Sequence, residues 1–393
     1  MTQPDFDEII ERRGTNCNKW DDMEAIYGVP AEDGLAMWVA DMDFHPPAPV
    51  QTALEGLIAH GVYGYPAQNP DYLPAIRWWM ENRHGWRIEE DWIVPALGLV
   101  NGTALAVSAF TDPDDRVILM TPVYHAFARV IRAQGREVAE FPLARDGDRY
   151  VFDWAGWEEL LTGREKMLIL CSPHNPGGRV WTVKELRELA DFCRAHELIL
   201  VSDEIHHDLV MPGHRHTVMA MAAPDIADRL ITLSAATKTF NIAGAHVGNA
   251  IIADPKLRAA YKAQMAGLGL STGMFGTDMV AAAYSPQGAA WVDALIAYLD
   301  GNRQRFDAGV NAIPGLRSMP LEATYLSWVD FSGTGMEPAE VKARLAKDAK
   351  IAANAGETFG LGGEGFMRFN LATPRANVEA AVARLQAAFA DLQ

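Results

Sequence analysis

The sequence predicts an α/β fold in which helices cover both faces of a mostly parallel sheet. Three observations support this prediction. Short apolar runs recur along the chain, and helical patterns lie between them. After about Pro286 the pattern changes to long Ala-rich helical segments with short strands between them. The apolar runs are four to six residues long and are bounded by polar, Gly or Pro residues, as in strands buried on both faces. They cover residues 117–120, 167–171, 198–202, 231–234 and 247–252.

Helical patterns alternate with these runs. Residues 183–196 place apolar side chains on one face of a predicted helix, and alternation of this kind implies parallel strands. Beyond about Pro286, Ala-rich helices are predicted at 289–313, 337–349 and 377–391, with strands at 325–331 and 366–371. We therefore expect a large domain over residues 46–286. A small α+β domain is expected from both chain ends, residues 1–45 and 287–393.

The composition excludes several classes of protein. Of 393 residues, 49% are apolar and 22% are charged, which excludes a disordered chain or a disulfide-stapled scaffold. Thirty-four basic residues against 51 acidic ones give a net charge of −17. Such an acidic surface repels phosphate backbones, so we expect no binding to nucleic acid or to anionic membranes.

The compartment expected is the cytoplasm. Cys17, Cys171 and Cys193 form neither a CxxC pair nor a zinc framework, as is usual in a reducing environment. The charged N-terminus does not resemble a signal peptide. Residues 93–111 carry no charge, but Pro95 and Gly98 interrupt them, so a buried loop-to-helix transition is predicted instead of a membrane span.

Polar and glycine-rich segments follow the predicted strands, and in an open α/β sheet ligands bind outside the carboxyl ends of the strands. Lys238 follows one strand and has no acid beside it in sequence, so burial could lower its pKa and let it form a Schiff base with a carbonyl. Asp203 ends another strand and could hold a pyridinium nitrogen. An Asn, an aromatic ring and a helix N-terminus at the same edge would complete a site for pyridoxal 5′-phosphate (PLP).

Specific motifs carry a family resemblance along nearly the whole chain. Asn175, Asp203 and Lys238 lie in the motifs NPGG, DEIH and TKTFN, 28 and 35 residues apart. With these motifs, the chain resembles fold-type I PLP-dependent enzymes of the class I/II aminotransferase superfamily, and within them the MalY/PatB group of cystathionine β-lyases (C–S lyases). The other matching segments are KWD (19–21), MWVADMDF (37–44), HGVYGY (60–65), PVYHAF (122–127), TYLSWVDF (324–331) and GEGFMRFNLATPR (363–375).

The resemblance implies the PLP-dependent transferase type I fold, with a seven-stranded sheet, and a homodimer with shared active sites. It implies that Lys238 binds PLP and then acts as base, that Asp203 pairs with the ring nitrogen and that Tyr124 stacks on the ring. Asn175 and His206 would lie at the ring oxygen. The remaining implied positions are Leu99, Val100, Thr237 and the neighbouring subunit's Tyr65 at the phosphate, and Arg368, Asn175 and Ala40 on the substrate side.

Two positions depart from the family pattern. His246 stands where other fold-type I enzymes place an arginine against the phosphate, and the loop 98–103 is unusually rich in glycine. We predict no metal site, because His206, His207, His214 and His216 lack a completing ligand at a known spacing and are expected in a surface loop.

The reaction implied is α,β-elimination from L-cystathionine or a related cysteine S-conjugate, giving a thiol, pyruvate and ammonia. Two alternatives stay open. An aminotransferase would use the same residues, and only the family resemblance favours elimination over it. A PLP-bound regulator without turnover would not need Lys238, Asp203 and Arg368 together.

Overall fold

The central sheet lies in the middle of the chain, in a computed structural model that describes residues 4–392. Within that range it has seven strands, and Gly248–Ile251 runs opposite to the other six. In their order across the sheet, the strands are Ile93–Ala96, Gly248–Ile251, Leu230–Ser234, Ile199–Asp203, Glu165–Cys171, Arg116–Leu119 and Glu137–Glu140. The mostly parallel sheet predicted from the sequence is confirmed.

All five strands predicted from apolar runs are present, and the two strands that the patterns did not reveal are the edge strands. Ile93–Ala96 contains Pro95 and begins the uncharged stretch for which a loop-to-helix transition was predicted, so that prediction was wrong for these residues. Proline is tolerated at an edge because one side of an edge strand needs no ladder hydrogen bonds. Glu137–Glu140 has a Glu at each end and therefore no apolar run.

Helices pack against the sheet and begin where local chemistry favours them. Val183–Ala195 starts with a capping box, in which the Thr182 and Glu185 side chains each accept a backbone N–H from the other residue. The helices of this part of the chain are Ala48–His60, Tyr72–His84, Leu99–Phe110, Ala126–Ala133, Trp154–Leu160, Val183–Ala195, Met219–Ala222, Ala236–Thr239, Pro255–Gly267 and Met274–Ala283.

A second, antiparallel sheet lies in the C-terminal part of the chain. Its four strands, in order across the sheet, are Arg317–Ser318, Leu326–Asp330, Phe366–Asn370 and Asn354–Ala355. The helices here are Pro286–Asn311, Pro338–Ala343, continued by a π-helical turn at Arg344–Asp348, and Arg375–Ala388. The predicted helices and both predicted strands of this region are confirmed, with ends shifted by a few residues.

The N-terminal segment packs onto this second sheet region. Strand Leu35–Ala36 pairs in parallel with Ile351–Ala352, after two short helices, Asn18–Asp21 and Met23–Tyr27. A hairpin of Ala144–Asp146 and Arg149–Val151 completes the strands. Within residues 4–392, none of the helices combines the length and apolarity that crossing a bilayer would need.

Candidate active site

One cavity lies at the carboxyl edge of the central sheet and has a volume of about 520 Å³. That volume is in the range of ligand pockets. It gathers nine of the eleven residues predicted for the site, which are Ala40, Leu99, Val100, Tyr124, Asn175, Asp203, His206, Thr237 and Lys238. Parallel strands end at the same edge of a sheet, which is why residues far apart in sequence meet here.

Lys238 lies in the short helix Ala236–Thr239, directly after strand Leu230–Ser234. Its Nζ donates a hydrogen bond to the Ala40 carbonyl oxygen at 2.6 Å, and the Tyr325 hydroxyl donates to the same oxygen at 2.9 Å. Burial lowers the pKa of Lys238 to about 8. The amine therefore loses its proton close to neutral pH, as a nucleophile or a base must.

Asp203 is the last residue of strand Ile199–Asp203 and is 5% exposed. Its Oδ1 accepts a hydrogen bond from the Ile205 N–H at 3.1 Å, and within residues 4–392 its Oδ2 has no hydrogen-bond partner. Burial raises the pKa of Asp203 to about 7. A buried carboxylate with a free oxygen is suited to a cationic partner, because such a partner would offset the cost of burial.

The start of helix Leu99–Phe110 lines one part of the cavity. Gly98 precedes the helix with φ of 84°, a left-handed conformation that favours glycine, and no side chain caps the first turn. The N–H groups of Leu99 and Val100 are thus left for a ligand, and a helix N-terminus attracts a phosphate. Thr237 and His246 line the same cavity.

These residues fit the PLP that the resemblance implies. The cavity has an amine for the aldehyde, an acid for the ring nitrogen, the Tyr124 ring for stacking and a helix N-terminus for the phosphate. Nδ1 of His206 is buried and has no hydrogen-bond partner, which leaves it available to a ligand in the same cavity. Burial also lowers the pKa of His206 to about 3, so that its imidazole is neutral at physiological pH.

Arg368 lies beside this cavity but does not line it. It is 3% exposed and sits on strand Phe366–Asn370. Its Nη1 donates to Asn175 Oδ1 at 2.9 Å, and its Nη2 donates to the Trp38 carbonyl at 2.8 Å and to Asn354 Oδ1 at 2.5 Å. Burial lowers the pKa of Arg368 to about 10, and no carboxylate of the described chain pairs with it. A buried guanidinium held by neutral groups is suited to a carboxylate ligand.

Tyr65, which was predicted to bind the phosphate in the neighbouring subunit, does not line the cavity of its own chain. It is fully exposed, and Ile58, Val62 and Tyr63 around it are each more than half exposed. This position neither brings Tyr65 to its own chain's cavity nor contradicts a role in a neighbouring subunit.

The prediction that the four histidines lie in a surface loop was wrong for three of them. His206, His207 and His216 are at most 8% exposed, and only His214 is exposed. Carboxylates of the same segment lie beside two of them: His216 Nε2 is 2.9 Å from Glu204 Oε2, and His207 Nε2 is 3.3 Å from Asp208 Oδ2. The DEIHHD motif contained part of this signal, because acids precede and follow its two histidines.

Two histidines lie beside the buried carboxylate of Asp208. His84, His207 and Asp208 bring possible ligand atoms within 4.8 Å of one another. His84 Nε2 lies 2.9 Å from Asp208 Oδ1, and the His84 and His207 rings stack with centroids 4.2 Å apart. Asp208 also accepts hydrogen bonds from Trp79 and Thr239, and the latter contact anchors the helix that carries Lys238.

Sequence reasoning missed the role of Asn241. Its Oδ1 accepts the Met42 N–H at 2.8 Å, and its Nδ2 donates to the Met42 and Phe44 carbonyls at 2.9 and 2.7 Å. These bonds hold the segment after Ala40 beside Lys238. The TKTFN motif displayed this asparagine, but only the folded chain shows that its partner lies 199 residues away.

The raised pKa of Asp203 predicts a pH dependence of stability for the cofactor-free chain. Between the ordinary pKa of 3.8 and about 7, folded Asp203 keeps a proton that the unfolded chain has released. The free energy of unfolding should therefore fall as pH rises from about 4 to about 7. Asp203→Asn should flatten this part of the profile, measured by thermal unfolding between pH 4 and 7.5. Wild-type and variant profiles of equal slope would contradict it, and the exposed Asp293→Asn serves as control.

The chain is similar to known proteins along nearly its whole length. The aminotransferase class I and II family model matches residues 41–385. Cystathionine beta-lyase PatB of Bacillus subtilis is 39% identical over 386 residues, covering 98% of this chain and 99% of that protein. Protein MalY of Escherichia coli is 33% identical over 387 residues and 97% of each chain. The crystal structure of cystalysin from Treponema denticola, which contains a PLP cofactor, matches with a TM-score of 0.95, 35% identity and full coverage of both chains.

Proposed function

Since the chain belongs to the class I and II aminotransferase family and to the same family as PatB and MalY, we propose that it is a PLP-dependent C–S β-lyase. Its substrate is L-cystathionine or a related cysteine S-conjugate, which it converts to a thiol, pyruvate and ammonia. The observation that carries the proposal is one cavity in which Lys238, with its lowered pKa, meets the buried acid Asp203. The full-length similarity to PatB supports elimination over amino-group transfer.

The residues that would hold the cofactor are those of the cavity. Lys238 would bind the aldehyde carbon, Asp203 the ring nitrogen, and Tyr124 one face of the ring. Asn175 and His206 would bind the ring oxygen. The N–H groups of Leu99 and Val100, with Thr237 and the partner subunit's Tyr65, would bind the phosphate. Bound in this way, the cofactor supplies an electron sink for the pair left at Cα.

The chain's own residues then position the substrate and move one proton. Arg368 binds the α-carboxylate through its guanidinium, and Ala40 bounds the substrate side of the cavity. Lys238, displaced by the substrate's amino group, removes the proton from Cα. The Cβ–S bond breaks with its electron pair going to sulfur, and the sulfur takes the proton that Lys238 removed from Cα and leaves as the thiol. The released enamine takes up one water and gives pyruvate and ammonia.

The proposal also covers the domain division, the oligomeric state and the cellular compartment. Residues 46–286 form the domain that holds the cofactor, and residues 1–45 with 287–393 form the small domain that carries Arg368. The pairing of Leu35–Ala36 with Ile351–Ala352 supports this division. A homodimer is the functional unit, which the exposed apolar residues around Tyr65 support. The three free cysteines support a cytoplasmic setting.

Replacing Arg368 with alanine should weaken recognition of the substrate carboxylate. We expect kcat/KM for L-cystathionine to fall about 10²-fold, mostly through KM, because a charge-assisted and buried contact is lost. The cofactor should stay covalently bound, since Lys238 is intact and Arg368 does not line the cofactor cavity. Arg368→Lys should recover part of the loss, and the exposed Arg317→Ala should have no effect. An unchanged kcat/KM in Arg368→Ala would refute this role.

The form of the cofactor after turnover distinguishes a lyase from an aminotransferase. The enzyme is incubated with L-cystathionine and no 2-oxo acid, and its cofactor is then released and identified by mass spectrometry. A lyase should retain the aldehyde form after many turnovers. Accumulation of the amine form, with turnover restored only by a 2-oxo acid, would show an aminotransferase and overturn the proposal.

A further inference from the structure

A second cavity of about 550 Å³ adjoins the first. It lies between helix Ala126–Ala133 and the turn Gly356–Phe359, which belong to the two sheet regions of the chain. Tyr124 and Arg129 line both cavities, so the two spaces share a wall. The Val123 N–H donates to the Phe359 carbonyl at 2.8 Å and fixes the two sides of this cavity relative to each other.

The second cavity contains two guanidinium groups without partners. Arg129 and Arg132 are exposed residues that line it, and neither side chain has a hydrogen bond or an ion pair within residues 4–392. They lie three residues apart on one helix, where like charges are neighbours and repel. In a chain with 51 acidic residues, two adjacent arginines without an ion pair make this part of the cavity favourable for an anion from outside the chain.

The acids of the same cavity already have partners. Glu357 pairs with Lys342 at 2.6 Å, and Glu140 accepts the Leu361 N–H at 2.9 Å. Neither contact neutralises the arginines. Both carboxylates keep accepting capacity, because a carboxylate has about four lone-pair positions. The cavity therefore offers donors for a carboxylate and acceptors for an ammonium group.

The position of the cavity relates it to the substrate. The Arg368 guanidinium carbon lies 4.9 Å from the centre of the Phe359 ring, and Phe359 lines the second cavity. The residue that binds the α-carboxylate in the proposed function thus packs on the wall of this space. No residue of the first cavity is assigned to the part of the substrate beyond sulfur. The second cavity has room for that part beside Arg368.

We propose that this second cavity binds the far end of the leaving group and selects thiols that carry a carboxylate, as in conjugates whose leaving thiol is itself an amino acid. Arg129 and Arg132 bind that carboxylate, and Glu140 and Glu357 face its ammonium group. This inference rests on the proposed function, because it assigns the leaving group of the same reaction. It makes Arg129 and Arg132 specificity-determining residues.

Two conjugates of nearly equal size test the inference. The first is S-(2-carboxyethyl)-L-cysteine, which ends in a charged carboxylate. The second is S-(2-carbamoylethyl)-L-cysteine, which ends in a neutral amide. The wild-type enzyme should prefer the carboxylate by about tenfold to a hundredfold in kcat/KM, the effect of a charge-assisted contact. The double variant Arg129→Gln/Arg132→Gln should reduce this ratio to about one, mainly by losing activity on the carboxylate. Arg215→Gln removes one charge from an exposed position outside both cavities and should keep the wild-type ratio.

The Kd of each conjugate, read from the absorbance change of the cofactor on mixing, separates this inference from the proposed function. If neither conjugate releases pyruvate but the Kd ratio still depends on the two arginines, the inference stands and the lyase proposal fails. A ratio unaffected by the double variant would overturn the inference. An equal loss on both conjugates, with loss of the cofactor band, would also overturn it, because the arginines would then act on the cofactor.

Discussion

Lys238→Ala is expected to abolish turnover and to leave the cofactor without a covalent bond to the chain. The expected fall in kcat is about 10⁴-fold, the upper end of what a general base contributes, because the same amine also binds the aldehyde carbon. The half-buried position and the lowered pKa of Lys238 set it apart from the surface lysines. Pyruvate release from L-cystathionine measures the first effect, and mass spectrometry of the borohydride-treated chain measures the second.

Lys262→Ala is the matched control for this variant. Lys262 is exposed on helix Pro255–Gly267 and lines neither cavity, so its loss should change neither measurement. Turnover that survived in Lys238→Ala at more than about a tenth of the wild-type rate would refute the role of Lys238 as base.

Asp203→Asn should lower kcat by about 10²- to 10³-fold, as expected when one buried electrostatic stabiliser is removed. The substitution keeps the shape of the side chain but removes the charge that would hold a proton on the ring nitrogen. The covalent bond through Lys238 should persist, because the substitution leaves that lysine intact. The measurements are kcat for pyruvate release and the borohydride-fixed cofactor mass.

The outcome of this substitution separates two roles of Asp203. If its carboxylate only supported the local fold, kcat would change little while the thermal unfolding temperature fell. That result would contradict the assignment to the ring nitrogen. Asp293→Asn, at an exposed position, should leave both quantities unchanged.

The sequence predicted the parts of the fold and site that local patterns encode. Buried strands such as Glu165–Cys171 were visible because both faces are apolar, and Lys238 and Asp203 were visible because they follow such strands. The edge strand Ile93–Ala96 was missed because an edge needs neither a long apolar run nor the absence of proline.

What stayed hidden depends on contacts between distant segments. The burial of His207 and His216 requires Asp208 and Glu204 to face them, and periodicity alone does not reveal such pairing. The same holds for Arg129 and Arg132, which are ordinary helix residues in sequence. Only the fold places them without a partner in a cavity beside the site.

The most direct test of the central claim is the stoichiometry of products from L-cystathionine. PLP-loaded enzyme is supplied with this substrate and with no 2-oxo acid, and pyruvate and free thiol are measured over many turnovers. A C–S β-lyase should release the two in equal amounts for as long as substrate lasts. A reaction that stops after about one turnover per site, and resumes only when a 2-oxo acid is added, would contradict the account and show an aminotransferase.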